Sequence, residues 1–258
     1  MSFRVLFSSL GLFALATVAL ADDSPDSAGR VFELRTYTAN PGRMEALHAR
    51  FRDHTNRIFE KHGMTLVGYW TPQDEKDGKA DKLIYMLSFP SREAAKASWA
   101  AFQADPEWQK VKEESHKDGV LVGKVESVYL TPTDYSPAVK PEAKAKPRVF
   151  ELRTYTTSPG KLDDLHKRFR DHTMKIFESH GMTNVGYWTP IDKEQGSENT
   201  LTYLLAFPSR EAAAKSWKAF SDDPVWQKVY KDSQPDGIPL AAKVKSIFVD
   251  PTDYSPIK

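Results

Sequence analysis

The chain contains no cysteine. Disulfide frameworks, thiol nucleophiles, iron–sulfur clusters and cysteine-ligated zinc are therefore excluded at the outset. An excess of charge is missing too: 36 Lys and Arg stand against 35 Asp and Glu. Nucleic-acid binding needs a basic footprint, and this balance supplies none. It also argues against capture by an anionic membrane surface. No Gly-rich phosphate loop and no nucleophile-elbow pattern occurs. The one long apolar run, Val5 to Leu20, falls short of the ~20 residues that a spanning helix requires. Arg4 precedes it, and Ala19-Leu20-Ala21 leads into the polar Asp22-Asp23-Ser24-Pro25. Met1 to Ala21 thus reads as a secretory signal peptide. Residues 22–30 read as a disordered lead-in. The expectation is an exported protein, periplasmic or secreted, with no membrane attachment after cleavage.

What the sequence does have is repetition. Val-Phe-Glu-Leu-Arg-Thr-Tyr-Thr occupies Val31–Thr38 and, letter for letter, Val149–Thr156. Phe-Arg-Asp-His-Thr recurs at Phe51–Thr55 and Phe169–Thr173, and Val-Gly-Tyr-Trp-Thr-Pro at Val67–Pro72 and Val185–Pro190. The offset stays near 118 residues, slipping by one late in each copy. Solenoid repeats run shorter, roughly 20–50 residues, so this is a duplicated domain. The copies span 31–137 and 148–258, and 138–147, rich in Pro, Ala and Lys, is the linker.

Within one copy, β-rich Val31–Thr38 predicts a strand with Glu33, Arg35 and Tyr37 on one face and Phe32, Leu34 and Thr36 on the other. Asn40-Pro41 predicts a helix N-terminus, repeated at Ser158-Pro159. That helix runs to His62 before Gly63, with Met44, Leu47, Phe51, His54 and Ile58 on its inward stripe. Two strands follow, at Thr65–Thr71 and Leu83–Phe89. A helix capped by Ser91, a shorter one after Asp105-Pro106, and a strand at Lys124–Leu130 complete the copy. The order βαββαβ is the α+β, ferredoxin-like plan. Its sheet carries apolar residues on both faces, and a large apolar face is not left in water. The two copies are therefore expected to pack sheet to sheet, as an intramolecular pseudo-dimer.

The opening strand, Pro41-Gly42, His62-Gly63 and Val67-Gly68-Tyr69-Trp70 together resemble the NIPSNAP family, in both copies. The resemblance implies a dimeric α+β barrel. Relatives in that wider group include cofactor-free monooxygenases, haem-degrading enzymes and isomerases, a fold-level analogy only.

The chemistry-bearing candidates come in pairs. His54 and His172, on the inward stripe, are suited to a general base or a haem ligand, or to a satisfied position at the core edge. Arg35 and Arg153 lie mid-strand, where a guanidinium must find an anion. That anion is a substrate carboxylate, or Glu33 and Glu151 two residues away. Tyr69, Trp70, Tyr85, Tyr187, Trp188 and Tyr203 are strand aromatics that line a ligand pocket or fill the core. Trp99, Trp108, Trp217 and Trp226 read as packing. His48, His54 and His62 recur as His166, His172 and His180, but spacings of six and eight lack the i, i+4 pair of a helical metal site, so no metal is expected. The functional expectation is a module that binds a small molecule or a protein. The alternative is a cofactor-independent enzyme with a His/Arg pocket in each copy, and the third is haem binding or degradation. No other cofactor is implied.

Overall fold

A computed structural model describes residues 29–139 and 148–258. The expected signal peptide, nearly all of the expected lead-in and most of the expected linker lie outside the described residues.

The first copy runs β1 (Val31–Ala39), α1 (Met44–Arg50), a π-helical turn (Phe51–Thr55), α2 (Asn56–Lys61), β2 (Thr65–Pro72), β3 (Lys82–Phe89), α3 (Arg92–Ala104), α4 (Pro106–Ser115) and β4 (Val122–Pro132). The second repeats it: β5 (Val149–Thr157), α5 (Leu162–Arg168), a π turn (Phe169–Thr173), α6 (Met174–Ser179), β6 (Thr183–Pro190), β7 (Thr200–Phe207), α7 (Arg210–Asp222), α8 (Pro224–Asp232) and β8 (Ala241–Pro251). Ser91 caps α3 by accepting from the Ala94 amide at 3.1 Å, and Ser209 caps α7 in the same way. Asp105 and Asp223 cap α4 and α8, each followed by proline at the first helical position, where its missing N–H costs nothing.

The predicted cap of the first helix is corrected in both copies. Gly42 takes φ +72°, and the chain turns there before α1 begins at Met44. Asn40 is left outside the helix, and its side-chain amide donates to the Val120 carbonyl at 2.8 Å. Ser158 likewise donates its hydroxyl to the Pro239 carbonyl, at 2.6 Å. These residues tie the first turn to the loop before the last strand of each copy.

Each copy forms a four-stranded antiparallel sheet with the order β2-β3-β1-β4 or β6-β7-β5-β8. The two sheets close into one eight-stranded barrel through the seams β4–β6 and β2–β8. The seams are short: Leu130, Thr131 and Pro132 pair with Pro190, Thr189 and Trp188, and Trp70, Thr71 and Pro72 with Pro251, Asp250 and Val249.

Period-two alternation divides the apolar residues among three cores. Phe32, Trp70, Met86, Phe150, Trp188 and Leu204 fill the barrel between the sheets. Leu47, Phe51, Ile58, Phe59, Tyr69 and Tyr85 lie between sheet and helices in the first copy, and their counterparts do so in the second. Tyr69 and Trp70, adjacent in sequence, thus serve different cores, as do Tyr187 and Trp188. The indoles turn back over the strand. A Cβ at Gly68 would stand 2.3 Å from Trp70 Cζ2, and one at Gly186 2.3 Å from Trp188 Cη2. Only a bare Cα admits the ring there, and the register slips at the same points.

The terminal arms are exchanged. Tyr135, at the end of the first copy, packs on Tyr187 of the second, while Tyr254 packs edge-on to Tyr69 of the first. Among the described residues no helix is long and apolar enough to cross a membrane.

Candidate functional site

Glu33 is 1% exposed in the middle of β1. A carboxylate there is tolerated only if its oxygens are occupied. Arg35, the Ser127 hydroxyl and the Trp99 indole all donate to it, the last at 2.6 Å. Arg35 also lies over the Trp99 ring, 4.4 Å from its centroid. Glu151, Arg153, Ser246 and Trp217 repeat the set. Arg35 and Arg153 are thus held by internal ion pairs. Trp99 and Trp217, read from the sequence as packing, are hydrogen-bond donors to the buried acids.

The histidines are not where helical periodicity puts them. A 3.6-residue turn from Phe51 falls between His54 and Thr55. The π turn widens the spiral and carries the inward position to Thr55, which is buried and donates its hydroxyl to the Arg50 carbonyl at 3.1 Å. His54 and His172 are exposed on the outer face, and the expectation that they face the sheet beside Arg35 and Arg153 is corrected. The half-buried histidines are others. His48 shares a 2.7 Å hydrogen bond with Tyr254, and His166 with Tyr135. Burial lowers both imidazoles below their ordinary value. His62 and His180 pair with the capping carboxylates Asp105 and Asp223. Among the described residues there is no group of three or more possible metal ligands.

Tyr69, Tyr85, Tyr187 and Tyr203 are fully buried under the helices, and Trp70 and Trp188 are buried inside the barrel. Tyr69 stacks on Tyr85 with ring centroids 5.5 Å apart, and Tyr187 on Tyr203 at 5.2 Å. None of the six borders the cavity that the second copy does contain. That cavity, about 150 Å³, lies between the α5–π turn, α7, α8 and the start of β8. Its walls include Phe169, Phe177, Phe220, Trp226 and Tyr230, and Tyr155 and Arg168 contribute polar groups.

Arg168 is 5% exposed, and its counterpart Arg50 is 7% exposed. Sequence reasoning passed over both. The available signal was an arginine on the apolar stripe, three residues after Leu47 or Leu165 and directly before Phe51 or Phe169. Burial pulls against the charge at both Arg153 and Arg168. At Arg153 the neighbouring Tyr203 and Tyr155 phenols and the Glu151 carboxylate more than offset it, and the guanidinium sits above its ordinary value. At Arg168 burial prevails and the value is lowered. An outer groove of about 510 Å³ between α5 and α8 also reaches Arg168 and runs past His172.

The model of the NIPSNAP family matches residues 32–137 and again 150–256. A provisionally named monooxygenase from Lactobacillus acidophilus is similar in structure, with a TM-score of 0.55 at 14% identity over 86% of this chain and 93% of that one. An anthrone oxidase-like protein is similar at a TM-score of 0.54 and 10% identity, over 89% of this chain and 94% of its own. A NIPSNAP family protein of unknown function from Agrobacterium tumefaciens is 24% identical over 45% of this chain and 97% of its own, at a TM-score of 0.38. No curated protein matches the chain.

Proposed function

This chain belongs to the NIPSNAP family as a tandem member, and on that premise we propose that it is a small-molecule-binding module whose site is the helix–sheet cavity of the second copy. The observation that carries the reading is the cavity itself: apolar and aromatic walls with one buried cation among them. Binding sites are commonly concave and mostly apolar, with a few placed polar groups. At about 150 Å³ the space suits a ligand of one small ring. Ligand-observed NMR with a library of single-ring fragments tests this. Hits are expected on the intact chain and are expected to vanish in Ala241→Leu, which places a larger side chain in the cavity wall. Fragment binding unchanged by Ala241→Leu would remove the site from this position.

A second reading makes the cavity catalytic. It draws on the names of the two similar structures, which share the fold at 10–14% identity. Here the groups at the cavity are Arg168 and the Tyr155 hydroxyl, which accepts from Arg153 at 3.1 Å. Oxygen uptake on adding a bound aromatic would establish it. Haem handling would use His172 on the outer groove instead. A Soret band with haemin that is lost in His172→Ala would bring that reading forward. Export through the Met1–Ala21 leader rests on the sequence alone. An N-terminus at Asp22 in protein purified from its source would carry it.

A further inference from the structure

Arg168 is a buried cation without a counter-ion. No ion pair to Arg168 or Arg50 occurs among the described residues, although Arg153 and Arg35 have Glu151 and Glu33. A guanidinium has five N–H donors. Arg168 places one on the Ser233 hydroxyl, at 3.3 Å, and its Nε meets no acceptor. Leaving a buried charge uncompensated costs several kcal/mol. Two aromatic faces hold it nonetheless, with the Trp226 and Tyr230 ring centroids 5.2 and 5.5 Å from Cζ. The cation is thus fixed in place before any anion arrives, and the planar fork matches a carboxylate.

The cavity beside it is of a particular size. Apolar cavities of roughly 150 Å³ accept benzene. Phe169, Phe177, Phe220 and Trp226 offer ring faces and edges to a planar guest, and aromatic contacts add to area burial. The outer groove gives an anion a way to Arg168 without opening the sheet. The first copy differs at this point. Its Arg50 has His116 Nε2 as a further neighbour at 3.4 Å, and Lys112 stands in the chain where Tyr230 stands.

We propose that the second copy binds a small aryl carboxylate, its ring among the cavity phenylalanines and its carboxylate bidentate on Arg168. This rests on the cavity reading above and narrows it to one ligand class. Charge-assisted hydrogen bonds add about 1.5–3 kcal/mol, so the acid should bind about tenfold or more tighter than its neutral isostere.

The test is isothermal titration of the full tandem chain with benzoate and, separately, with benzyl alcohol. Benzoate is expected to bind at least about tenfold more tightly, and Arg168→Gln is expected to abolish the difference. Arg168→Lys keeps the charge but loses the fork, and should retain only a fraction of it. Equal affinity for the two probes, or a benzoate preference that survives in Arg168→Gln, overturns the acid proposal and leaves the cavity reading standing. Binding of neither probe overturns both. The comparison of the two probes on the unaltered protein is independent of how the variants fold, and the Arg168→Gln arm is read only where its far-ultraviolet circular dichroism and thermal melt match those of the unaltered chain.

Discussion

The Tyr254 hydroxyl lies 2.7 Å from His48 Nδ1, joining the last residues of the second copy to the first helix of the first. Tyr135 and His166 form the mirror-image contact. Beside them Arg52 grips Asp253, and Arg170 grips Asp134. Each half therefore holds the other's tail. Residues 22–137 expressed alone should pair as a homodimer that rebuilds the barrel, since a lone copy would bare Phe32, Trp70 and Met86 to water. Light scattering at micromolar concentration should give twice the chain mass. A folded monomer would contradict the exchange as a requirement for stability.

The same contact predicts a pH dependence. His48 and His166 are held below their ordinary value by burial. The unfolded chain gains protons below about 6.5, while the folded chain resists them. The stability these groups contribute is whole above that pH and is lost as pH falls through the folded values. Denaturant midpoints measured from pH 7.5 down to 5 should fall. The double variant His48→Gln, His166→Gln should show a shallower slope, and an identical slope would assign the loss to other groups.

Glu33→Gln removes the negative charge that three donors converge on and leaves Arg35, partly buried at 16% side-chain exposure, without a counter-ion. Breaking a buried pair in this way costs about 3–5 kcal/mol. Trp99→Phe removes a single donor and should cost about 1–3 kcal/mol. Urea unfolding of both variants, and of Glu151→Gln and Trp217→Phe, checks the ordering. A Glu33→Gln variant of unchanged stability would show that the pair contributes nothing to the fold.

Gly68→Ala forces a methyl group into the Trp70 ring and should cost about 1–3 kcal/mol. Shrinking the ring should return some of that. The pair Gly68→Ala, Trp70→Phe is then less destabilised than the sum of the single changes. Thermal melts of the four proteins close the cycle, and strict additivity would mean that the ring moves away without strain.

The barrel was legible because its determinants are local. Alternation in Val-Phe-Glu-Leu-Arg-Thr-Tyr-Thr marks a strand with Phe32 and Leu34 on one face, and a second identical strand in the same chain says what covers that face. Ser91 and Asp105 announced their helices by caps that act within three residues. The site was less legible, for two reasons. The inward phase of the first helix hangs on a π turn that shifts it by one residue, from His54 to Thr55, and a 3.6-residue period cannot show that. The importance of Arg168 lies in an anion that does not accompany it, and the lack of a neighbour in space leaves no trace in residue order. Arg153 was easier, because its partner Glu151 stands two positions away on the same strand face.

The ring of strands has two thin places. Inside each copy the first and third strands are matched over eight residues, but each seam between the copies is stitched over three. While both stitches hold, neither sheet offers an unpaired border on which foreign chains could grow strand by strand. Should heat or acid undo either stitch first, the two freed borders would be complementary to those of any other molecule opened in the same way. The earliest misassembled species would then be a reciprocal dimer built from native pairings, not an amorphous clump.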